Sequence, residues 1–213
     1  MLESIQQIVS GYRVAIRDLG VHGEGIGSVD GFTIFVPGAL PGETVTAEIT
    51  LLKKSYALGE LLSIEWESPF RVVPKCPVYE NCGGCQLSHL TYEGQLDMKY
   101  RRVKDVIERI AGESGDLVRP VLPAAHPFAY RNKMAVPAGL VKGKAALGCY
   151  RQGSHDIIPV SSCAIQKEEN NRLLQFARRF IEKYRISVYN EKTRKGNLRH
   201  VMAVSYTHLR AHE

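Results

Sequence analysis

The sequence has no apolar run approaching the roughly 18 residues that a membrane-crossing helix needs. Its first residues, MLESIQQIVSG, carry an acidic residue early and no apolar core of a signal peptide, which argues against secretion. Internal repeats and low-complexity tracts are missing, so repeat arrays and compositionally disordered chains are excluded. No glycine-rich strand–turn–helix pattern for a nucleotide occurs either. Cysteine is scarce, with five among 213 residues. A cytoplasmic chain is expected, and there clustered thiols bind metal or react more often than they form disulfides.

The remainder is ordinary for a globular chain able to hold one large or two small domains, with 44% hydrophobic and 23% charged residues. The net charge of +6 is unevenly spread. Residues 1–67 hold 4 basic against 9 acidic side chains, and residues 68–213 hold 24 against 13. The acidic front and basic body suggest a polyanionic partner, with a solvated basic surface as the plainer alternative.

Residues 12–67 read as five short strands separated by turn glycines. ETVTAEITLL alternates Val45, Ala47, Ile49 and Leu51 with polar residues, the period of a half-buried strand. YRVAIRDL, GIGSV, FTIFV and LGELLSIE supply the other four. Five strands in so short a span can close into an OB-like barrel. Pro69 and Pro74 mark the exit, which puts a boundary between residues 67 and 68. The following region, 68–204, reads as α+β. One helix runs from an N-cap at Thr91 to a stop at Gly112, its stripe being Leu96, Val103, Val106, Ile107 and Ile110. A second spans about residues 166–185, with Leu173, Leu174, Ala177, Phe180, Ile181 and Tyr184 expected to face inward. Strand-like pieces, RNKMAVPAGL, KAALGCYRQ and HDIIPV, lie between the helices.

Three of the five cysteines fall within ten positions, as Cys76-x5-Cys82-x2-Cys85, with Gly83 and Gly84 inside the tighter loop. Thiolates are soft ligands for zinc or iron–sulfur clusters, and both usually take four. The fourth must come from Cys149 or Cys163. Cys149 sits in an apolar strand, where a small buried thiol is the default, whereas Cys163 sits in a loop. Context therefore favours Cys163. Spacing leaves zinc open but favours iron–sulfur, because structural zinc usually draws on two short-spaced pairs. His22, His89, His126 and His155 lack ligand-like spacing and read as structural or surface residues.

The stretch Cys76-Pro77, Cys82-Gly83-Gly84-Cys85-Gln86, Tyr92, Gln95-Leu96 and Lys99 resembles the cluster loop of the RNA uracil-C5 methyltransferases, in particular the ribosomal RNA type with a [4Fe-4S] cluster. DLGVHGEGIG, IFVPGALPGE and SPFRVVPKCP are similar to that family's TRAM domain; YRNKM, GSHDIIPVSSC and KGNLRHV are similar to its central domain. The resemblance covers residues 12 to about 204. It implies Cys76, Cys82, Cys85 and Cys163 as cluster ligands and leaves Cys149, where the family commonly has an aromatic, in the core. It implies RNA, of ribosomal type, as partner, with no membrane association and a monomeric chain. It also implies a reaction in which a cysteine thiolate adds to C6 of uracil, C5 takes a methyl group from S-adenosylmethionine, and a base removes the C5 proton.

The RNA-binding residues expected from this resemblance and from charge are Arg131, Asn132 and Lys133 at a strand start, Lys53, Lys54 and Tyr56 on the barrel, and Arg199. The family's Rossmann-like domain would follow the GNLRHV strand, so that domain is expected to be missing and the chain inactive alone. Residues 205–213, ending SYTHLRAHE from Ser205, break the family pattern and read as a non-native tail. Three alternatives stand beside this reading: a stand-alone iron–sulfur RNA-binding module, a transfer RNA uracil-C5 methyltransferase, and an electron carrier.

Overall fold

The computed structural model describes residues 11–191 and 193–205. The chain forms two compact units that interleave in sequence: residues through Val73 with Gln86–Pro123, and Pro74–Cys85 with the residues from Ala124 onward.

In the first unit, strands β1 (Tyr12–Leu19), β2 (Gly25–Val29), β3 (Phe32–Val36), β4 (Thr44–Leu52) and β5 (Tyr56–Trp66) close into a barrel in the order β1-β2-β3-β5-β4. Neighbours pair antiparallel except β3 with β5, whose parallel pairing closes the ring. The alternation read from sequence fills the interior: Val14, Ile16, Ile34, Val36, Val45, Ala47 and Ala57 are all buried in one cluster. Gly27 shows how tightly β2 lies against β1, since a Cβ there would clash with Val14 Cγ1. A buried ion pair locks the strand-β4 entry to the barrel exit: Arg71 Nε and Nη2 donate to Glu43 Oε1 and Oε2 at 2.5 and 2.8 Å.

Helix α1 (Tyr92–Val106) belongs to this unit and continues through a wider π-type turn, Ile107–Ala111. Thr91 caps it as expected, its hydroxyl accepting from Gly94 N at 3.1 Å, and Gly112 ends it at φ 71°. The expected apolar stripe does not hold. Val103, Val106 and Ile110 are exposed, and only Gly94 is buried on α1.

The second unit is a four-stranded antiparallel sheet, β8 (Ile157–Pro159), β7 (Lys144–Tyr150), β6 (Lys133–Val141) and β9 (His200–Val204) in that order, with helix α2 (Glu168–Lys183) packed on β7 and β9. Lys142 and Gly143 join β6 to β7, both at positive φ, the backbone of a tight hairpin turn. Strand β6 pairs with β9 through Pro137 and with β7 from Ala138 onward, so the residue lacking an N–H sits where the strand changes partner. On α2, Leu174 and Ile181 are buried as expected, but Leu173, Phe180 and Tyr184 are exposed. Asn170 and Asn171 take the buried positions instead. Of the expected tail, residues 206–213 lie outside the described residues. Ser205 extends the strand, donating its N–H to Asn132 O at 2.9 Å. Among the described residues no helix is long and apolar enough to cross a membrane.

Candidate functional site

All five cysteines lie in the second unit, as reduced and half-buried thiols. The loop carrying three of them begins with a tight turn in which Cys82 N donates to Val78 O at 2.9 Å. It is then laced to the end of β7. Gly83 N donates to Tyr150 O at 2.9 Å, Cys82 bridges Arg151, and Arg151 Nη1 donates to Asn81 Oδ1 at 2.7 Å. Gly83 approaches the strand backbone closely: a Cβ there would stand 3.0 Å from Gln152 N and 3.1 Å from Tyr150 O.

This lacing brings Cys82 to Cys149, which the sequence reading left in the core. The two thiols share a hydrogen bond. Donation from Cys149, aided by the N–H of Gly84 at 3.4 Å, outweighs burial and pushes Cys82 down to about 6. The shared bond raises Cys149 well above an ordinary thiol. Burial and the negative charge of Cys82, Cys163 and Cys85 act in the same direction. Cys163 and Cys85 therefore lie close enough for their charges to be felt at Cys149.

Helix α2 fixes Cys163. Cys163 N donates to Asn171 Oδ1 at 2.9 Å, and Asn171 Nδ2 donates to Cys163 O at 3.3 Å. Sequence reasoning missed Asn171; two adjacent asparagines inside an otherwise apolar helix face were the available signal. The set of thiols fits a soft metal group in donor chemistry. Among the described residues, however, no three His, Cys, Asp or Glu side chains form a ready-made coordination shell.

The expected RNA-binding residues fall in separate places. Arg131, Asn132 and Lys133 are exposed side chains on a firmly held backbone: Asn170 Nδ2 donates to Asn132 O at 3.2 Å and Gln166 Nε2 to Lys133 O at 3.2 Å. Lys53 and Lys54 project from the β4–β5 turn, which Lys53 N closes on Tyr56 O at 2.9 Å. The Tyr56 ring packs edge-on against Phe35 at 5.5 Å. Arg199 is engaged locally, over the Tyr189 ring at 4.7 Å and 3.8 Å from Glu191. The sequence reading did not anticipate a groove of about 550 Å³ in the first unit, between α1 and the end of β1, lined by Arg17, Arg102, Phe70 and Met98 among others. Its Arg101 is paired with Asp97 at 2.8 Å.

Residues 6–62 match the TRAM domain. A protein of Bacillus cereus (strain ATCC 10987 / NRS 248) named as an uncharacterized RNA methyltransferase is 51% identical over 190 residues, covering 89% of this chain and 41% of the relative. Another so named, from Clostridium tetani, is 45% identical over 193 residues, covering 91% and 42%. Among solved structures, the tRNA (uracil-54, C5)-methyltransferase of Pyrococcus abyssi in complex with S-adenosyl-L-homocysteine matches with a TM-score of 0.67 at 26% identity, over 90% of this chain and 42% of that one. The chain thus spans about two fifths of the length of the curated relatives it matches. These findings correct the expectation of a missing Rossmann-like domain. The likeness runs through nine tenths of this chain, barrel and α+β unit alike, and does not support a missing domain. Residues 6–62 are thus similar to a TRAM domain, and the relatives matched are named as RNA methyltransferases.

Proposed function

We propose that this chain belongs to the RNA uracil-C5 methyltransferases and serves S-adenosylmethionine-dependent formation of 5-methyluridine in ribosomal RNA. The observation that carries the reading is the likeness to a solved uracil-C5 methyltransferase across nearly the whole chain. That relative holds S-adenosyl-L-homocysteine, the demethylated form of the proposed donor. Residues 1–67 act as the TRAM-type RNA-binding barrel and residues 68–204 as the iron–sulfur and RNA-binding region of a monomer in the cytoplasm.

Cys76, Cys82, Cys85 and Cys163 hold a [4Fe-4S] cluster in this reading, and when bound it supplies metal–thiolate bonds that tie the loop to the start of α2. The chain's own residues do the rest. Asn171 orients the Cys163 peptide, and the lacing of 81–83 to 150–151 orients Cys82. Arg131 and Lys133 meet phosphates while Asn132 reads a base edge, and Lys53, Lys54 and Tyr56 give the barrel a charged, stacking contact. Arg199 is a weaker contact, since Tyr189 and Glu191 already engage it.

A transfer RNA substrate is the second reading, favoured by the substrate named for the solved relative. Deleting the gene and quantifying 5-methyluridine separately in purified ribosomal and transfer RNA decides between them. Loss from ribosomal RNA is expected. Loss from transfer RNA alone moves the substrate, and unchanged levels in both overturn the methyltransferase reading.

A further inference from the structure

Cys149 has no role in the proposed ligand set, yet its thiol is hydrogen-bonded to that of Cys82. The contact is fixed by backbone. Residues 81–83 are laced to Tyr150 and Arg151, the two residues that follow Cys149. Gly83 lets the loop lie directly on Tyr150 and Gln152, where its N–H donates to Tyr150 O at 2.9 Å. The bridge between Cys82 and Arg151 sets Cys149 on the diagonal from Cys82, so an S–S bond of about 2.05 Å needs the two side chains to turn toward each other and the loop to draw in slightly. Both cysteines are half-buried, so a small oxidant can reach them.

We propose that Cys82 and Cys149 form an intramolecular disulfide whenever Cys82 is not held by a metal group. A low-molecular-weight disulfide such as oxidised glutathione supplies the oxidising equivalents. One cysteine, losing its proton, attacks that S–S bond to give a mixed disulfide and one free thiol. The second cysteine then loses its proton and displaces the remaining half. Two S–H bonds become one S–S bond, and the small disulfide is reduced to two thiols. Guarding the cluster site in its empty state is a role that rests on the cluster reading; the pairing does not. The bond would keep Cys82 from irreversible oxidation and hold the loop on β7 until a thiol reductant reopens it.

The test uses metal-free chain, reduced and desalted, then exposed to oxidised glutathione, alkylated, and digested with trypsin without reduction. Cleavage at Lys75, Lys99, Lys144 and Arg151 places Cys82 in one peptide, with Cys76 and Cys85, and Cys149 in another. Mass spectrometry should find these two peptides joined, two hydrogens lighter than their sum, with fragmentation locating the bond at Cys82. Cys149→Ser should abolish the joined species and leave Cys82 as a glutathione adduct. Cys82→Ser should leave Cys149 alkylated. A Cys82–Cys85 bond within one peptide, a bond from Cys82 to Cys163, or full alkylation of Cys82 and Cys149 would each overturn the proposal. A parallel sample reconstituted with iron and sulfide separates the two ideas. Failure to take up either, with the joined peptides still formed, defeats the cluster and leaves the disulfide standing. Uptake of both with a different cysteine pairing in the metal-free sample does the reverse.

Discussion

Asn171 grips the peptide of Cys163 on both sides, accepting from its N–H at 2.9 Å and donating to its carbonyl at 3.3 Å. The amide is buried on α2, so neither bond is easily replaced by water. Asn171→Ala should destabilise the second unit by roughly 1–3 kcal/mol, the usual effect of stranding buried polar partners. If Cys163 is a ligand, iron per chain should fall alongside. Chemical denaturation and an iron assay on the same preparation check both, and unchanged iron would mean that Cys163 needs no help in finding its position.

Iron and acid-labile sulfide should each approach about four per chain after anaerobic purification, the content of one cubane cluster. Cys163→Ser should lower iron sharply, whereas Cys149→Ser should change it little. Stoichiometric zinc without sulfide would refute the cluster. A reversed result for the two variants would make Cys149 the fourth ligand, an outcome that its contact with Cys82 makes worth testing.

Arg131 and Lys133 stand exposed on a backbone that Asn170 and Gln166 hold still, a suitable arrangement for phosphates. RNA affinity should fall steeply with salt through counterion release. Replacing both cations with alanine should weaken binding and flatten the log–log salt slope by about 1.5, two contacts at roughly 0.7–0.9 each. Filter binding across a salt series reads this. An unaltered slope would remove these residues from the RNA surface.

The barrel was legible because its signals are local. Alternating Val14 and Ile16, Val45 and Ala47, and the turns between strands, fix which faces turn inward. The capping of α1 by Thr91 was legible for the same reason. Helix faces were not. Periodicity turned Leu173, Phe180 and Tyr184 inward, but α2 buries Asn170 and Asn171, whose partners at residues 132 and 163 are distant or outside the helix. The apolar stripe of α1 failed similarly, with Ile110 left 81% exposed. The Cys82–Cys149 contact depends on a loop-to-strand pairing across nearly 70 residues, which spacing cannot display.

Acid should weaken the barrel unit in two stages. Burial, reinforced by the charge of Arg71 and only partly opposed by Glu43, pulls His89 down to about 4 from 6.5. Its unfolded form binds a proton first, so the stability it contributes is complete above pH 6.5 and lost as pH falls toward 4, on the order of 3 kcal/mol. For Glu43, burial raises the pKa, but hydrogen bonds from Arg71, Leu40 and Ser68 prevail and lower it. Its contribution is complete above 4.5 and lost as pH falls below that value. Melting curves of the wild type and His89→Gln between pH 7 and 4 should diverge, the variant losing less on acidification. Glu43→Gln at pH 7 should cost about 3–5 kcal/mol, because Arg71 keeps a largely buried charge without its partner. Parallel pH profiles for wild type and His89→Gln would show that His89 protonates freely in the fold.

Removing iron should loosen one unit and spare the other. The proposed ligands Cys85 and Cys163 bracket 77 residues, so a shared cluster closes a long loop within the second unit. Closing a loop of that length costs several kcal/mol of chain entropy, by analogy with a cross-link. Metal–thiolate bonding offsets that cost, which couples cluster binding to folding. The barrel holds none of the five cysteines and has its own core, with Val14, Val36, Val45, Ala47 and Ala57 fully buried. Helix α1 follows the cysteine loop directly in sequence but packs in the barrel unit, so it should behave with the barrel. Hydrogen exchange on holo and apo protein, with the apo form kept reduced to prevent a Cys82–Cys149 bond, should therefore show faster exchange in residues 76–85, β6, β7 and α2. Protection of β1–β5 and of α1 should be unchanged. Equal protection of β6 and β7 in both forms would mean that the cluster does not staple the fold, and an RNA-sensing or redox role would then account better for four thiolates in this unit.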